Sequence, residues 1–252
     1  MRTINFKYLD IVPGNKILDI GCGEGRHTAE VCHFNDVFCV GADMNYKDLL
    51  TAKEKLKFNE RFFPAATSNQ ALCAADITRL PFKDKSFDIV ICSEVMEHIP
   101  EEHEAFAELT RVIKHKGILA VSVPRTWPEK ICWFLSDEYF NATGGHIRIY
   151  TKKELIQKIE KTGYRLFKTH YAHSLHSPFW WLKCLAGPNR TDSPAVNLYH
   201  RLLVWDIMKK PFITKFMGKL LDPVMGKSLV LYFVRIPSTG QAAAKKIHFQ
   251  PE

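Results

Sequence analysis

Lys16-Ile17-Leu18-Asp19-Ile20-Gly21-Cys22-Gly23-Glu24-Gly25 is the stretch that decides the fold. Ile17, Leu18 and Ile20 make a short apolar run between Pro13-Gly14 and the glycines, the pattern of a buried parallel strand entering a tight turn. Three glycines at alternate positions let the backbone take positive φ and approach a ligand closely. The helix expected from Glu24 to Phe34 then offers unpaired N–H groups in its first turn. This is a cradle of the nucleotide-binding kind, and its meaning depends on what surrounds it.

Working outward, Asp19 lies inside the strand, where a carboxylate is costly unless it accepts hydrogen bonds from loop N–H groups or faces a cation. Val37-Phe38-Cys39-Val40-Gly41-Ala42-Asp43 is a second apolar strand ending in an acid, a position that suits the two hydroxyls of a ribose. Ala71 to Ala75 is a third, ending at Asp76, and Phe87 to Cys92 a fourth, running into Ser93-Glu94-Val95-Met96-Glu97-His98. Ile118 to Val123, Gly163 to Tyr171 and Ser228 to Arg235 complete seven strands. Residues 3–10 are expected as a short helix over the ligand site. A helix opened by Pro100 is expected to close on Arg111-Val112-Ile113-Lys114-His115-Lys116-Gly117. Thr151 with Glu154 forms a capping box for a further helix through Glu160.

The series Leu18-Asp19-Ile20-Gly21-Cys22-Gly23-Glu24-Gly25, Asp43, Asp76 with Leu80-Pro81-Phe82, and Ser86-Phe87-Asp88-Ile89-Val90 resembles class I S-adenosylmethionine-dependent methyltransferases, over residues 13–165. The resemblance implies an α/β, Rossmann-like, seven-stranded, mostly parallel sheet with an antiparallel last strand. It implies S-adenosylmethionine as cofactor, with Gly21, Gly23 and Gly25 at its methionine end and Asp43, beside Met44, at the ribose. Asp76 and Ile77 would meet the adenine, and Ser93 and Asp19 complete the implied set. The other reading of the glycine loop is an NAD-binding oxidoreductase, whose phosphate loop spaces its last glycine further on, where this chain has Arg26.

After the fourth strand, a helical turn would put Glu94, Glu97 and His98 at i, i+3 and i+4, on one face. Carboxylates and an imidazole there could hold a divalent metal. The Glu-x-x-Glu-His string is similar to that of ubiquinone-pathway O-methyltransferases, some of which hold a metal there. In other members of the class the Glu-His pair carries none, and the histidine packs under the loop. Downstream, Trp127, Trp133, Phe134, Tyr139 and Phe140 are candidate pocket walls, and Gly144-Gly145 a hinge. His146 opens a His-x-Arg-x-Tyr string that also resembles small-molecule methyltransferases, either as a base or as a histidine bonded to backbone. His98, His146 and Glu94 are the candidate catalytic bases.

Charge divides the chain. Residues 1–125 hold 16 Lys and Arg against 18 Asp and Glu, whereas residues 126–252 hold 19 against 9. The basic excess is strong in residues 172–227, a helical insert between the sixth and seventh strands that carries Phe179-Trp180-Trp181-Leu182 and two helices, from Ser193 to Met208 and from Pro211 to Leu221. Apolar helices with basic flanks suit a lid over a hydrophobic substrate, contact with an anionic membrane, or a dimer interface. Nucleic acid is disfavoured, because the basic residues are sparse among apolar ones. Domains are therefore expected at 1–171 with 228–236, the insert at 172–227, and a flexible tail at 237–252. Seven cysteines without Cys-x-x-Cys spacing read as buried thiols of a reducing compartment. The opening residues lack a long apolar run, which predicts a cytoplasmic protein.

The sequence thus reads as a methyltransferase for a small, lipophilic or lipid-like acceptor, with O-methylation favoured over C-methylation. A noncatalytic protein that binds S-adenosylmethionine on the same fold is the alternative.

Overall fold

A computed structural model of the chain describes residues 2–62, 68–142, 144–209 and 211–237. Seven strands form one sheet in the order β3-β2-β1-β4-β5-β7-β6. They are β1 (Lys16–Ile20), β2 (Phe38–Asp43), β3 (Asn69–Ala74), β4 (Phe87–Ser93), β5 (Ile113–Pro124), β6 (Tyr164–Ala172) and β7 (Ser228–Arg235). The first five pair in parallel, and β7 lies antiparallel between β5 and β6. This is the expected Rossmann-like fold.

Alternation explains why the central strands β1 and β4 are mostly apolar. Leu18 and Ile20 of β1, with Val90 and Cys92 of β4, pack into one hydrophobic cluster. Their neighbours Ile17, Ile89 and Ile91 pack into a second on the other face. Successive side chains of a strand point to opposite faces, so a sheet covered on both sides must be hydrophobic at every position. Chain order reverses between β1, followed outward by β2, and its other neighbour β4; this is the switch point where such sheets open a crevice.

The helices are α1 (Arg26–Glu30), α2 (Tyr46–Phe62), α3 (Glu102–Val112), α4 (Thr126–Leu135), α5 (Asp137–Phe140), α6 (Lys152–Glu160), α7 (His176–Ala186), α8 (Pro194–Lys209) and α9 (Phe212–Met225). Thr151 caps α6 as its spacing predicts, Oγ1 accepting from the Glu154 N–H at 3.2 Å. Three expectations are corrected. Residues 6–8 form a short 3₁₀ turn whose Phe6 joins Ile17, Val31 and Val37 in the second cluster, away from the crevice, because its apolar side chains are buried better there. Pro100 lies before α3, whose cap is Glu101. The basic string after Val112 is strand: Ile113 pairs with Phe87, Lys116 takes φ 64°, and the register shifts before Ile118 meets Ile89. Gly117 is needed at that bulge, since a Cβ would lie 2.8 Å from the Asp88 carbonyl oxygen.

Residues between β6 and β7 leave and rejoin the sheet at one point, for Ala172 pairs with Ser228, which also pairs with Pro124 at the end of β5. The insert therefore stands at the end of the sheet where the parallel strands finish. It holds three helices rather than two, α7 being additional. The tail expected from 237 lies, beyond Pro237, outside the described residues.

Candidate active site

At the carboxyl ends of β1, β2 and β4, a cleft of 210 Å³ is lined by Ile20, Gly21, Asp43, Met44, Ala75, Ile77, Glu94, Val95, His98 and Ile99. Gly21, Gly23 and Gly25 have φ of 66°, 51° and 73°, a left-handed path that only glycine follows at low cost. A Cβ on Gly21 would collide with Val95, and one on Gly25 would come within 2.9 Å of the Ala52 Cβ. Asp43 closes the loop: Oδ2 accepts from the Gly23 N–H at 2.7 Å and Oδ1 from the Asn45 N–H at 2.8 Å. Each oxygen keeps a lone pair for a further donor.

Of the expected cofactor residues, Gly23 and Gly25 of the loop and also Asp19, Asp76 and Ser93 are not among those that line the cleft. Asp19 is buried beneath α1, where Oδ2 accepts from the Thr28 N–H at 2.9 Å and the Thr28 hydroxyl at 2.7 Å. Burial pushes its carboxyl up to about 6, against the lowering effect of those two bonds. Asp76 is exposed, with Oδ1 turned back to the N–H and hydroxyl of Thr78 at 2.8 Å each, while its neighbours Ala75 and Ile77 line the cleft. Ser93 is buried, its hydroxyl 2.8 Å from that of Ser122 on β5.

Beside the cleft lies a cluster of acids and histidines. Glu94 has φ 58°, rare for a residue with a side chain. This ends β4, breaks any helical continuity with the 3₁₀ turn Met96–His98, and leaves Glu94 Oε1 accepting from the Ser122 hydroxyl at 2.8 Å. Glu94 is consequently not part of the convergent ligand set. Glu97, His98 and His146 are: one ligand atom from each lies within 4.8 Å of the others. Glu97 is fully buried, and neither carboxylate oxygen has a hydrogen-bond partner. Burial, then the nearby Glu94, pushes its carboxyl well above the usual range.

The loop that carries His146 is pinned rather than hinged. The Ile147 N–H donates to the Glu97 carbonyl at 3.0 Å, and His98 Nδ1 lies 3.0 Å from the Gly145 carbonyl oxygen. Arg148 and the Tyr150 hydroxyl reach Glu102 on α3 at 3.0 and 2.7 Å. Burial holds the His98 imidazole below the ordinary histidine range, although the Gly145 contact opposes this. Its ring centre is 5.0 Å from that of His146. His146 Nδ1 sits 2.6 Å from Glu129 Oε1, so the Nε2 atoms of both rings are the ones left to act.

Glu129 and Lys227 are the residues that sequence reasoning missed, whereas Tyr139 was among the expected pocket walls. The buried Glu129 carboxylate accepts from the Tyr139 hydroxyl at 3.0 Å and lies 3.6 Å from Lys227 Nζ. Burial pushes Glu129 up, but His146, Lys227 and Tyr139 together hold it below the usual range. One signal existed: Glu129 shares a helical face with Cys132 and Trp133, an acid on an apolar stripe. Trp180 of α7 stands 5.7 Å from Tyr139, and Trp181 donates to the Pro128 carbonyl at 3.0 Å. Helix α7 thereby walls the cluster with aromatic rings.

Residues 18–121 match the family described as a methyltransferase domain. The sterol 24-C-methyltransferase erg6 of Schizosaccharomyces pombe is 26% identical over 174 residues, 64% of this chain and 42% of that protein. The 27-O-demethylrifamycin SV methyltransferase of Amycolatopsis mediterranei is 31% identical over 114 residues, 45% of this chain and 40% of that protein. Among solved structures, a SAM-dependent methyltransferase from Methanosarcina mazei superposes with a TM-score of 0.60 at 15% identity, covering 94% of this chain and 99% of that one; it speaks for the fold. Residues 18–121 carry a methyltransferase domain, on the fold of a SAM-dependent methyltransferase. The chain spans about two fifths of the length of the two curated relatives named above.

The cleft suits the cofactor of that domain. It offers the close backbone approach of Gly21, apolar flanks at Ile77 and Val95 for a ring, and the free lone pairs of Asp43 for paired hydroxyls.

Proposed function

We propose that this chain transfers a methyl group from S-adenosylmethionine to a small, lipophilic acceptor, by O-methylation, with C-methylation as the second chemistry. One observation carries the reading: His98 lines the cofactor cleft, and its ring adjoins His146 inside the aromatic enclosure of Tyr139 and Trp180. Bound S-adenosylmethionine would supply a methyl group already activated by a sulfonium charge. What remains for the protein is to orient the acceptor, exclude water and receive a proton.

Gly21, Asp43 and Ile77 hold the cofactor in this account. His98, neutral through burial, or His146, with Glu129 behind it to stabilise an imidazolium, takes the acceptor's proton at Nε2. The aromatic walls favour an apolar acceptor, in keeping with a sterol and a rifamycin methyltransferase among the relatives. Such an acceptor would be met in the cytoplasm, at the inner face of a membrane. Formation of S-adenosylhomocysteine with a panel of phenols, quinols and sterols tests the reading; no turnover with any of them by folded, cofactor-binding protein would favour a noncatalytic binding role.

A divalent cation held by Glu97, His98 and His146 is a second reading, favoured by their convergence and by the unpartnered carboxylate of Glu97. The cation would supply Lewis acidity toward an acceptor hydroxyl. If the reading is right, exhaustive chelation lowers turnover and readdition of Mg²⁺, Mn²⁺ or Zn²⁺ restores it; undiminished turnover by metal-free protein rules out an essential ion.

A further inference from the structure

Helix α9 is inside out for a helix of a water-surrounded domain. Only Thr214 is buried, whereas Phe212, Ile213, Phe216 and Leu220 are 80, 66, 59 and 65% exposed. At 100° per residue these four fall on one half of the helix, with Val224 and Met217 beside them and Lys215 and Lys219 along one rim. The opposite edge is fastened to the domain. Asp222 accepts from the Ser174 N–H at 2.8 Å, and the Ser177 hydroxyl and Arg125 donate to the carbonyls of Met225 and Val224 at 2.8 and 2.9 Å. The preceding helix repeats the pattern: Leu198, Leu202 and Trp205, at i, i+4 and i+7, are exposed together with Arg201.

We infer that the outward face of α9, with the exposed stripe of α8, rests on an anionic lipid bilayer. Charge selects this occupant. The exposed charged residues of α8 and α9, among those described, are Arg201, Lys209, Lys215 and Lys219, all positive, while the acids Asp206 and Asp222 are partly buried. A second copy of the chain related by a two-fold axis would present the same basic rim, with no exposed acid among the described residues of these two helices to answer it. Anionic headgroups answer it directly, with the aromatic and aliphatic side chains entering the acyl boundary. Fourteen residues make a helix of about 21 Å, too short to cross the hydrocarbon core, so α9 lies in the interface. Among the described residues no helix is long and apolar enough to span a membrane. None of these side chains lines the cofactor cleft, so the inference stands apart from the methyl-transfer reading.

The test is flotation of the 252-residue chain with phosphatidylcholine vesicles containing or lacking phosphatidylglycerol, at low and high salt. Binding is expected only with the anionic lipid, weakening as salt rises. Lys215→Ala with Lys219→Ala should lower partitioning about 25-fold, at about fivefold per lysine near a charged surface. Phe216→Ser with Leu220→Ser should abolish it. Unchanged S-adenosylhomocysteine affinity in both variants shows that the domain is still folded. Failure of the folded parent chain to float with anionic vesicles overturns the inference, as does undiminished flotation of the Phe216/Leu220 variant. A dimer in sedimentation that this variant dissociates, without vesicle binding by the parent, assigns the face to a second copy instead.

Discussion

The two halves of the site are built differently. The cofactor half, formed by the ends of β1, β2 and β4, is a backbone device: glycines at positive φ and acids just past strand ends, each within a few residues of the strand that positions it. The half that we propose for the acceptor is a side-chain device. Glu129, Tyr139, His146, Trp180 and Lys227 come from five places across 99 residues, joined by hydrogen bonds, an ion pair and a ring contact, with the unpartnered carboxylate of Glu97 beside them. Binding of the donor should therefore fail through changes of backbone shape, and turnover through changes of single side chains.

The largest effect tests that division at His146. His146→Ala should lower kcat about 10²–10⁴-fold, the usual contribution of a positioned base, and leave the affinity for S-adenosylhomocysteine unchanged. Glu129→Gln should move kcat in the same direction by less, because the imidazole keeps its place but loses the charge behind it. A loss of cofactor affinity in either variant, measured by calorimetry, would merge the two halves into one.

Gly23→Arg should do the reverse. The left-handed φ costs a non-glycine residue on the order of 1–2 kcal/mol; no atom lies within 4 Å of the added Cβ, so the fold is retained. The variant keeps the backbone N–H that serves Asp43, so the expected fall in cofactor affinity, about 100-fold or more and about 3 kcal/mol, comes from the bulky side chain on the loop, which bars close approach of the ligand to the backbone. Retained affinity would remove the glycine loop from the cofactor site.

The smallest effect concerns Asp19, which the structure puts under α1 as a support of the loop. Its folded pKa, about 6, lies above the unfolded value near 3.8. The folded state therefore holds the proton more tightly. Stability is greatest below pH 4 as far as this group is concerned, and is lost as pH rises from about 4 through 6. Two units correspond to about 3 kcal/mol. Thermal unfolding of Asp19→Asn between pH 4 and 7.5 should lack this slope; an identical slope in parent and variant would assign it to other groups.

The same contrast explains what was legible beforehand. Gly21, Asp43 and Ile77 could be read because strand ends and positive-φ glycines leave local marks in a sequence. The seven strands, mostly parallel with an antiparallel last one, followed with them. Lys227 left none and Glu129 only its place on an apolar stripe, since their meaning lies in a hydrogen bond across 17 residues and an ion pair across 98. The convergent group keeps Glu97 and His98 of the expected ligands and has His146 in place of Glu94, for a local reason: the left-handed Glu94 separates that carboxylate from the turn bearing the other two. Helix α7 was missed because its aromatic run carries no cap signal, and it is held by contact with α4.

The central claim is tested most directly by calorimetric titration of purified, metal-free protein with S-adenosylmethionine, S-adenosylhomocysteine and NADH. The account predicts saturable, micromolar binding of both adenosyl ligands and none of NADH. Folded protein that binds neither adenosyl ligand, or that binds NADH in their place, would contradict it.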